Sequence, residues 1–204
     1  MLCTAASDAS LPKAARRDPI AALHLVQRLR AGERADRLVR YEFARADARG
    51  AVQSVLTEGR RGRLSLVLTG DTLTLRSPDR VLVCQRVTTT ASCFRRPADI
   101  SLPTSEVIAV AVALGAYDVA RGRVVNVAGE RGDCFDLRAN KGHALPGLGN
   151  QTEVCLSRDG LLLSTAVRTG AKRETRTAQV VQRRVTDAEL DGLLAGFKPP
   201  NPSK

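Results

Sequence analysis

The sequence has no tryptophan, four phenylalanines, two tyrosines, one methionine and two histidines among 204 residues. With so few rings the core has to be aliphatic, and a nucleic-acid platform of stacked aromatics has almost nothing to be built from. Zinc sites want cysteine pairs two to four residues apart with further Cys or His; no such pair exists, and His24 and His143 sit in unrelated segments, so no metal is expected. Long apolar runs are also missing. The most apolar stretch, "VIAVAVALGA" from Val107 to Ala116, is about half of the roughly 18 residues a membrane span requires and reads as a buried helix. There is no G-x-S-x-G elbow, P-loop, H-E-x-x-H or dinucleotide fingerprint, and "GERG" and "GLGN" are loop glycines outside any βα context. A thiol nucleophile would need a base. The nearest in sequence to Cys134 is His143, nine residues on across a glycine-rich loop, which is poor support for catalysis. The chain is expected not to be an enzyme and to need no cofactor.

Charge is what the sequence has in excess: 32 basic against 21 acidic side chains, a net +11, with arginine supplying 27 of the basic ones. Such a surface attracts anionic partners in general, whether nucleic acid, lipid headgroups or wall polymers. The arginines run from Arg16 to Arg184 rather than forming one arm, which favours a generally solvated basic surface.

Five cysteines remain to be explained. In "VCQRVTTTASCF", Val83 to Phe94, a two-residue turn at Thr88-Thr89 places Cys84 directly opposite Cys93 on antiparallel strands, within disulfide reach. "GDCFDLR" and "EVCLSRDG" are strand-like segments joined by "ANKGHALPGLGNQT", whose Gly, Pro and Asn suit a connecting loop, and they pair Cys134 with Cys155. Two hairpin staples imply an oxidising compartment outside the cytosol. That compartment, together with the shortage of rings, argues against a nucleic-acid partner. Cys3 is left over. Met1-Leu2 ahead of it supply neither a basic nor an apolar signal region, and "TAASDASLPKAARRDP" after it is a small, polar, proline-punctuated tether. Cys3 is therefore expected to be the acylated anchor of a lipoprotein.

The pattern along the chain predicts residues 1–17 as a tether, one domain over 18–198 and a tail over 199–204. Asp18-Pro19 caps a helix to about Arg30, with Ile20, Leu23, Val26 and Leu29 at helical spacing. A strand meander follows, including "RLSLVLTGDTLTLRS" with its Gly70-Asp71 turn. An apolar helix is expected from Thr104 or Ser105 to about Val119, weakened at Gly115, and then a second meander. Thr186 with Glu189 forms a capping box for a final helix burying Leu190, Leu193, Leu194 and Phe197. The fold class is α+β: a curved sheet of roughly nine to eleven antiparallel strands, too many to lie flat, with helices over its concave face.

That order, and above all "EVCLSRDGLLLSTAVRTGAKRETRTAQVVQRRVTDAEL" with its cysteine strand, Asp159-Gly160 turn and Thr186-Asp187 start to the closing element, resembles the LolA-like lipoprotein-carrier superfamily. The branch it resembles most is the actinobacterial LppX/LprG type. The resemblance covers roughly residues 35 to 195 and rests on architecture rather than chemistry. It implies a half-open β-barrel around a hydrophobic cavity that holds acyl chains, with helices as a lid. Strand alternation nominates Leu64, Leu66, Leu68, Leu73 and Leu75, with Val81 and Val83, as its lining. Ile108 and Val112 would face them from the lid. The expected function is a monomeric, extracytoplasmic lipoprotein on the outer face of the cytoplasmic membrane, binding or shuttling a lipid or other hydrophobic ligand. The alternative is a sensor or interaction module acting on a membrane-protein partner.

Overall fold

A computed structural model describes residues 18–48, 50–78, 80–87, 90–96 and 104–197. Cys3, the tether and the tail lie outside the described residues. Helix α1 (Pro19–Gly32) is followed by β1 (Arg37–Asp47), β2 (Gly50–Arg61), β3 (Leu64–Thr69), β4 (Thr72–Ser77), β5 (Arg80–Val87) and β6 (Thr90–Arg96). Then come α2 (Thr104–Ala113), β7 (Tyr117–Val127), β8 (Glu130–Ala139), β9 (Gln151–Ser157), β10 (Leu162–Thr169), β11 (Lys172–Gln182) and α3 (Asp187–Ala195). All eleven strands make one curved antiparallel sheet, a half-open barrel. The two meanders meet where β1 pairs with β11, leaving β6 and β7 as edges. None of the described helices is long and apolar enough to cross a membrane.

Asp18 caps α1 as its side chain accepts from the amides of Ile20 and Ala21, both at 3.0 Å. The helix buries Ala21, Leu25, Leu29 and Gly32, whereas Ile20 and Leu23 face solvent at 62% and 56% exposure. Leu29 is shared with the expected stripe and Val26 is half-buried against the core, but Ala21 and Leu25 are buried in place of Ile20 and Leu23, and Gly32 carries a backbone contact that a larger residue would prevent. Helix α2 also ends earlier than its apolar run. Gly115 takes a left-handed φ of 71°, and Tyr117 and Val119 join β7, facing the helices from the sheet.

The cross-strand register divides the buried residues between two faces. Tyr117, Val119, Phe135, Leu137, Val154 and Leu156 form a core under α1 and α2. On the opposite face, at the other end of the sheet, α3 covers a second core of Leu66, Leu73, Cys84, Ala91, Leu190 and Phe197, with Leu68, Leu75 and Leu82 packed against it. A smaller group, Val39, Tyr41, Leu161, Leu163 and Ala178, lies at the junction of the meanders.

Both disulfides are formed, Cys84 to Cys93 and Cys134 to Cys155, each between directly opposed residues of neighbouring strands. The three-residue group Cys134, Glu153 and Cys155 has the spacing of a metal site, but both of its sulfurs are spent on the disulfide.

Helix α1 is fastened to the sheet at its C-terminal half. Arg28 donates to Asp133 at 2.7 Å and to the carbonyls of Leu156 (2.9 Å) and Ser157, and its guanidinium lies 5.9 Å from the Phe135 ring centroid. One turn later the helix backbone meets the β9–β10 turn directly: a Cβ on Gly32 would stand 2.1 Å from the Gly160 carbonyl oxygen. The turn that receives it closes with Ser157, whose hydroxyl accepts from the Leu161 amide at 2.9 Å and donates to Asp159.

Candidate functional site: an arginine-lined cleft

Register corrects the expected lining. Leu73 stands opposite Cys84 and Leu75 opposite Leu82, so period-two alternation puts Val81 and Val83 on the other face from Leu73 and Leu75. Leu66 and Leu73 are buried beneath α3, and Leu68 and Leu75 pack beside them; Leu64 is half-buried in the same strand. Ile108 and Val112 do not meet the leucines. They pack into the α1–α2 core with Tyr117 and Phe135. The leucines expected to form a cavity wall are the ordinary core of a helix–sheet contact.

A cleft does exist, elsewhere. It opens on the α1–α2 side where the C-terminal end of α1, the first turn of α2 and the β9–β10 turn approach β1, β2, β3, β4 and β11. Its volume is about 150 Å³, and its charged lining is four arginines, Arg37, Arg60, Arg76 and Arg176, against two glutamates, Glu33 and Glu58. Sheet alternation explains the composition: on β1, β2 and β11 the positions facing this side read Arg37, Val39, Tyr41; Glu58, Arg60; and Arg176, Ala178.

Two ion-paired groups organise it. Glu33 holds Arg37 at 3.1 Å and Arg60 at 3.2 Å and accepts the Ser105 hydroxyl, tying α1 to α2 and to β2. Arg176, 8% exposed, pairs with Glu58 at 2.7 Å and stacks with its guanidinium carbon 3.7 Å from the Tyr41 ring centroid. Burial works against the Arg176 charge, but Glu58 and Tyr41 outweigh it and raise its pKa above the ordinary arginine value. The Tyr41 hydroxyl donates to the Leu162 carbonyl at 2.8 Å. Despite these pairs, Nε of Arg60 and Nε of Arg176 are buried without a hydrogen-bond partner.

Burial pushes the Tyr41 phenol up from 10.0 to about 12, with Arg176 pulling the other way. An unfolded chain releases this proton at about 10, so between pH 10 and 12 the unfolded state binds fewer protons than the folded one. Stability therefore falls as pH rises through that window, by on the order of 2–3 kcal/mol at its upper end. Urea midpoints measured across the window should show this slope in the wild type and not in Tyr41→Phe; the same slope in both proteins would refute the assignment.

No family model matches the sequence, and no curated protein matches it. Solved structures do. The structure of MucB in complex with MucA(peri) matches with a TM-score of 0.56 at 15% identity, covering 83% of this chain and 58% of that one. This chain thus spans about three fifths of the MucB chain. The Mycobacterium tuberculosis lipoprotein LppX matches at TM-score 0.45 and 13% identity, covering 83% and 99% of the two chains. A LolA superfamily protein from Nitrosomonas europaea matches at TM-score 0.38 and 8% identity, covering 83% and 96%. At these identities the likeness is one of fold. It is carried by the MucB structure, whose TM-score alone of the three exceeds 0.5.

Proposed function

We propose that this chain is a non-enzymatic, extracytoplasmic binding module that takes an amphiphilic ligand, a lipid with an anionic headgroup, on the α1–α2 side of its half barrel, and that it is held at the membrane through Cys3. The observation that carries the reading is the cleft itself, a basic recess left open between helices and sheet. At about 150 Å³ it is smaller than the roughly 300–1,000 Å³ of a site that engulfs a whole ligand. It suits a headgroup.

Apolar surface for a chain lies next to it. Register aligns Val67, Thr74, Val83 and Phe94 as one cross-strand row on this side, running from the cleft to the β6 edge, where Phe94 is 46% exposed. Val81 lies on the same side, between Arg76 and Arg96. Burying an acyl chain along this row would contribute about 0.8 kcal/mol per methylene. This reading leaves the leucines out of the binding surface and takes Val81 and Val83, which face the other side, into it.

A second reading has its own support. The MucB structure that matches this fold holds MucA(peri), which favours an interaction module that binds a protein partner. Native mass spectrometry of protein purified from an oxidising compartment, compared with its denatured covalent mass, separates the two. A lipid-sized excess lost on denaturation is the expected result. A native mass equal to the covalent mass, with a co-purifying membrane protein, would put the interaction module first.

A further inference from the structure

The cleft carries more positive charge than its own residues balance. Arg37, Arg60 and Arg176 share two glutamates, Glu33 with Arg37 and Arg60 and Glu58 with Arg176. Like charges crowded into a partly desolvated recess repel one another, and buried donors without acceptors cost about 1–3 kcal/mol each. Arg176 is more than nine-tenths buried, and its Nε meets no acceptor. Its Nη2 lies 2.7 Å from Glu58 but is not aligned for a hydrogen bond. Arg60 Nε is likewise buried and unsatisfied. Thr104 and Ser105, the first two residues of α2, complete one side of the recess, so the positive end of that helix adds to the field.

We propose that the cleft is a binding site for a phosphate-class oxyanion, with Arg60 and Arg176 as its principal donors and Arg37 and the first turn of α2 as its remaining sides. This rests on the binding-module reading in that the phosphate would be the ligand's polar end. The donors come from β1, β2, β11 and a helix terminus, converging from several directions instead of forming one planar fork. That arrangement matches a tetrahedral anion better than a flat carboxylate. Room for about five water molecules, at ~30 Å³ each, accommodates one phosphate group with part of its hydration.

The test follows the arginine Nε–H resonances of uniformly ¹⁵N-labelled full chain while inorganic phosphate is titrated against a chloride control at matched ionic strength. Saturable shifts of the Arg60 and Arg176 signals are expected with phosphate and not with chloride. Arg60→Gln, which leaves the Tyr41–Arg176–Glu58 stack in place, should weaken the binding about tenfold. Arg176→Lys, which keeps a charge beside Glu58, should remove the multidentate contact. A parallel titration compares vesicles of phosphatidylglycerol with vesicles of phosphatidylcholine. Displacement of phosphate by the former alone identifies a lipid headgroup as the source; phosphate binding indifferent to either identifies a soluble phosphate or phosphoester. Both support the site. Linear, non-saturating shifts, or equal affinity in Arg60→Gln, would overturn it. A lipid found by native mass spectrometry with no phosphate response would leave the binding module standing and sink this site alone.

Discussion

Gly160→Ala is expected to lower stability by on the order of 4 kcal/mol and to loosen α1 from the sheet. Two effects combine at this position. Gly160 has φ of +88°, where an L side chain is strained, at a cost of about 1–3 kcal/mol. Its Cβ would also stand 1.7 Å from the Arg28 carbonyl oxygen and 3.0 Å from the Gly32 nitrogen, and those are backbone atoms of the helix, which cannot rotate away. The helix must shift, and with it Leu25 and Leu29, both essentially fully buried, each contributing about 1.5–3 kcal/mol by burial. Gly62 provides the control, since it has φ of +56° and a Cβ added there would meet nothing within 4 Å; Gly62→Ala should cost only the conformational term, about 1–2 kcal/mol. Urea unfolding of both variants, with limited trypsin digestion at Arg28 and Arg30 to report α1, checks the claim. Equal losses in the two would mean that the backbone contact between α1 and the β9–β10 turn is unimportant.

This contact also matters to the cleft, because Gly32, Glu33 and Gly160 are part of its wall. Freeing α1 moves Glu33 and with it Arg37 and Arg60. Gly160→Ala should therefore lose phosphate binding along with stability, whereas Gly62→Ala should keep it.

How far the sequence reveals this architecture depends on sequence distance. Hairpins are legible because a turn fixes the register of its two strands: Thr69 pairs with Thr72 across Gly70-Asp71, and Val87 pairs with Thr90 to bring Cys84 to Cys93. The same arithmetic carried one hairpin further, through the Ser77–Arg80 pair, places Cys84 beside Leu73 and assigns Val81 and Val83 to the opposite face. The cleft is different in kind. Tyr41, Glu58 and Arg176 meet only because β1 closes on β11, and that pairing carries a register shift between Arg40 and Tyr41. No local pattern encodes either fact. Inward-facing Glu58, Arg60 and Arg176 also read, by alternation alone, as a solvated strand face. Helix α2 reads too long in the sequence for a related reason: an apolar run gives no period, and only Gly115 marks where the helix stops.

Removing the Cys134–Cys155 bond, as Cys134→Ala with Cys155→Ala, is expected to cost about 3 kcal/mol. The chain entropy restored to the unfolded state when a sequence separation of 21 is no longer bridged is roughly that size. The loss should appear in overall stability rather than in the cleft, because both sulfurs sit on the face opposite Phe135 and Val154, which pack under α1 and α2. The Cys84–Cys93 bond closes a separation of only nine, so its entropic share is smaller, about 2.5 kcal/mol. Yet Cys84 belongs to the core beneath α3, and Cys93 packs against it. Its removal should loosen α3 in a way that the first pair of substitutions does not. Hydrogen exchange separates the two outcomes: protection lost uniformly across the sheet for the Cys134 and Cys155 variant, and first at Leu190 and its helix for the Cys84 and Cys93 variant. Since Cys84, Cys134 and Cys155 are each at most 2% exposed, reductant without denaturant should leave both bonds intact for as long as the fold holds. Rapid reduction of the native protein would instead show that the sheet opens readily around these strands. The bonds would then be poor evidence for the oxidising compartment on which the extracytoplasmic reading depends.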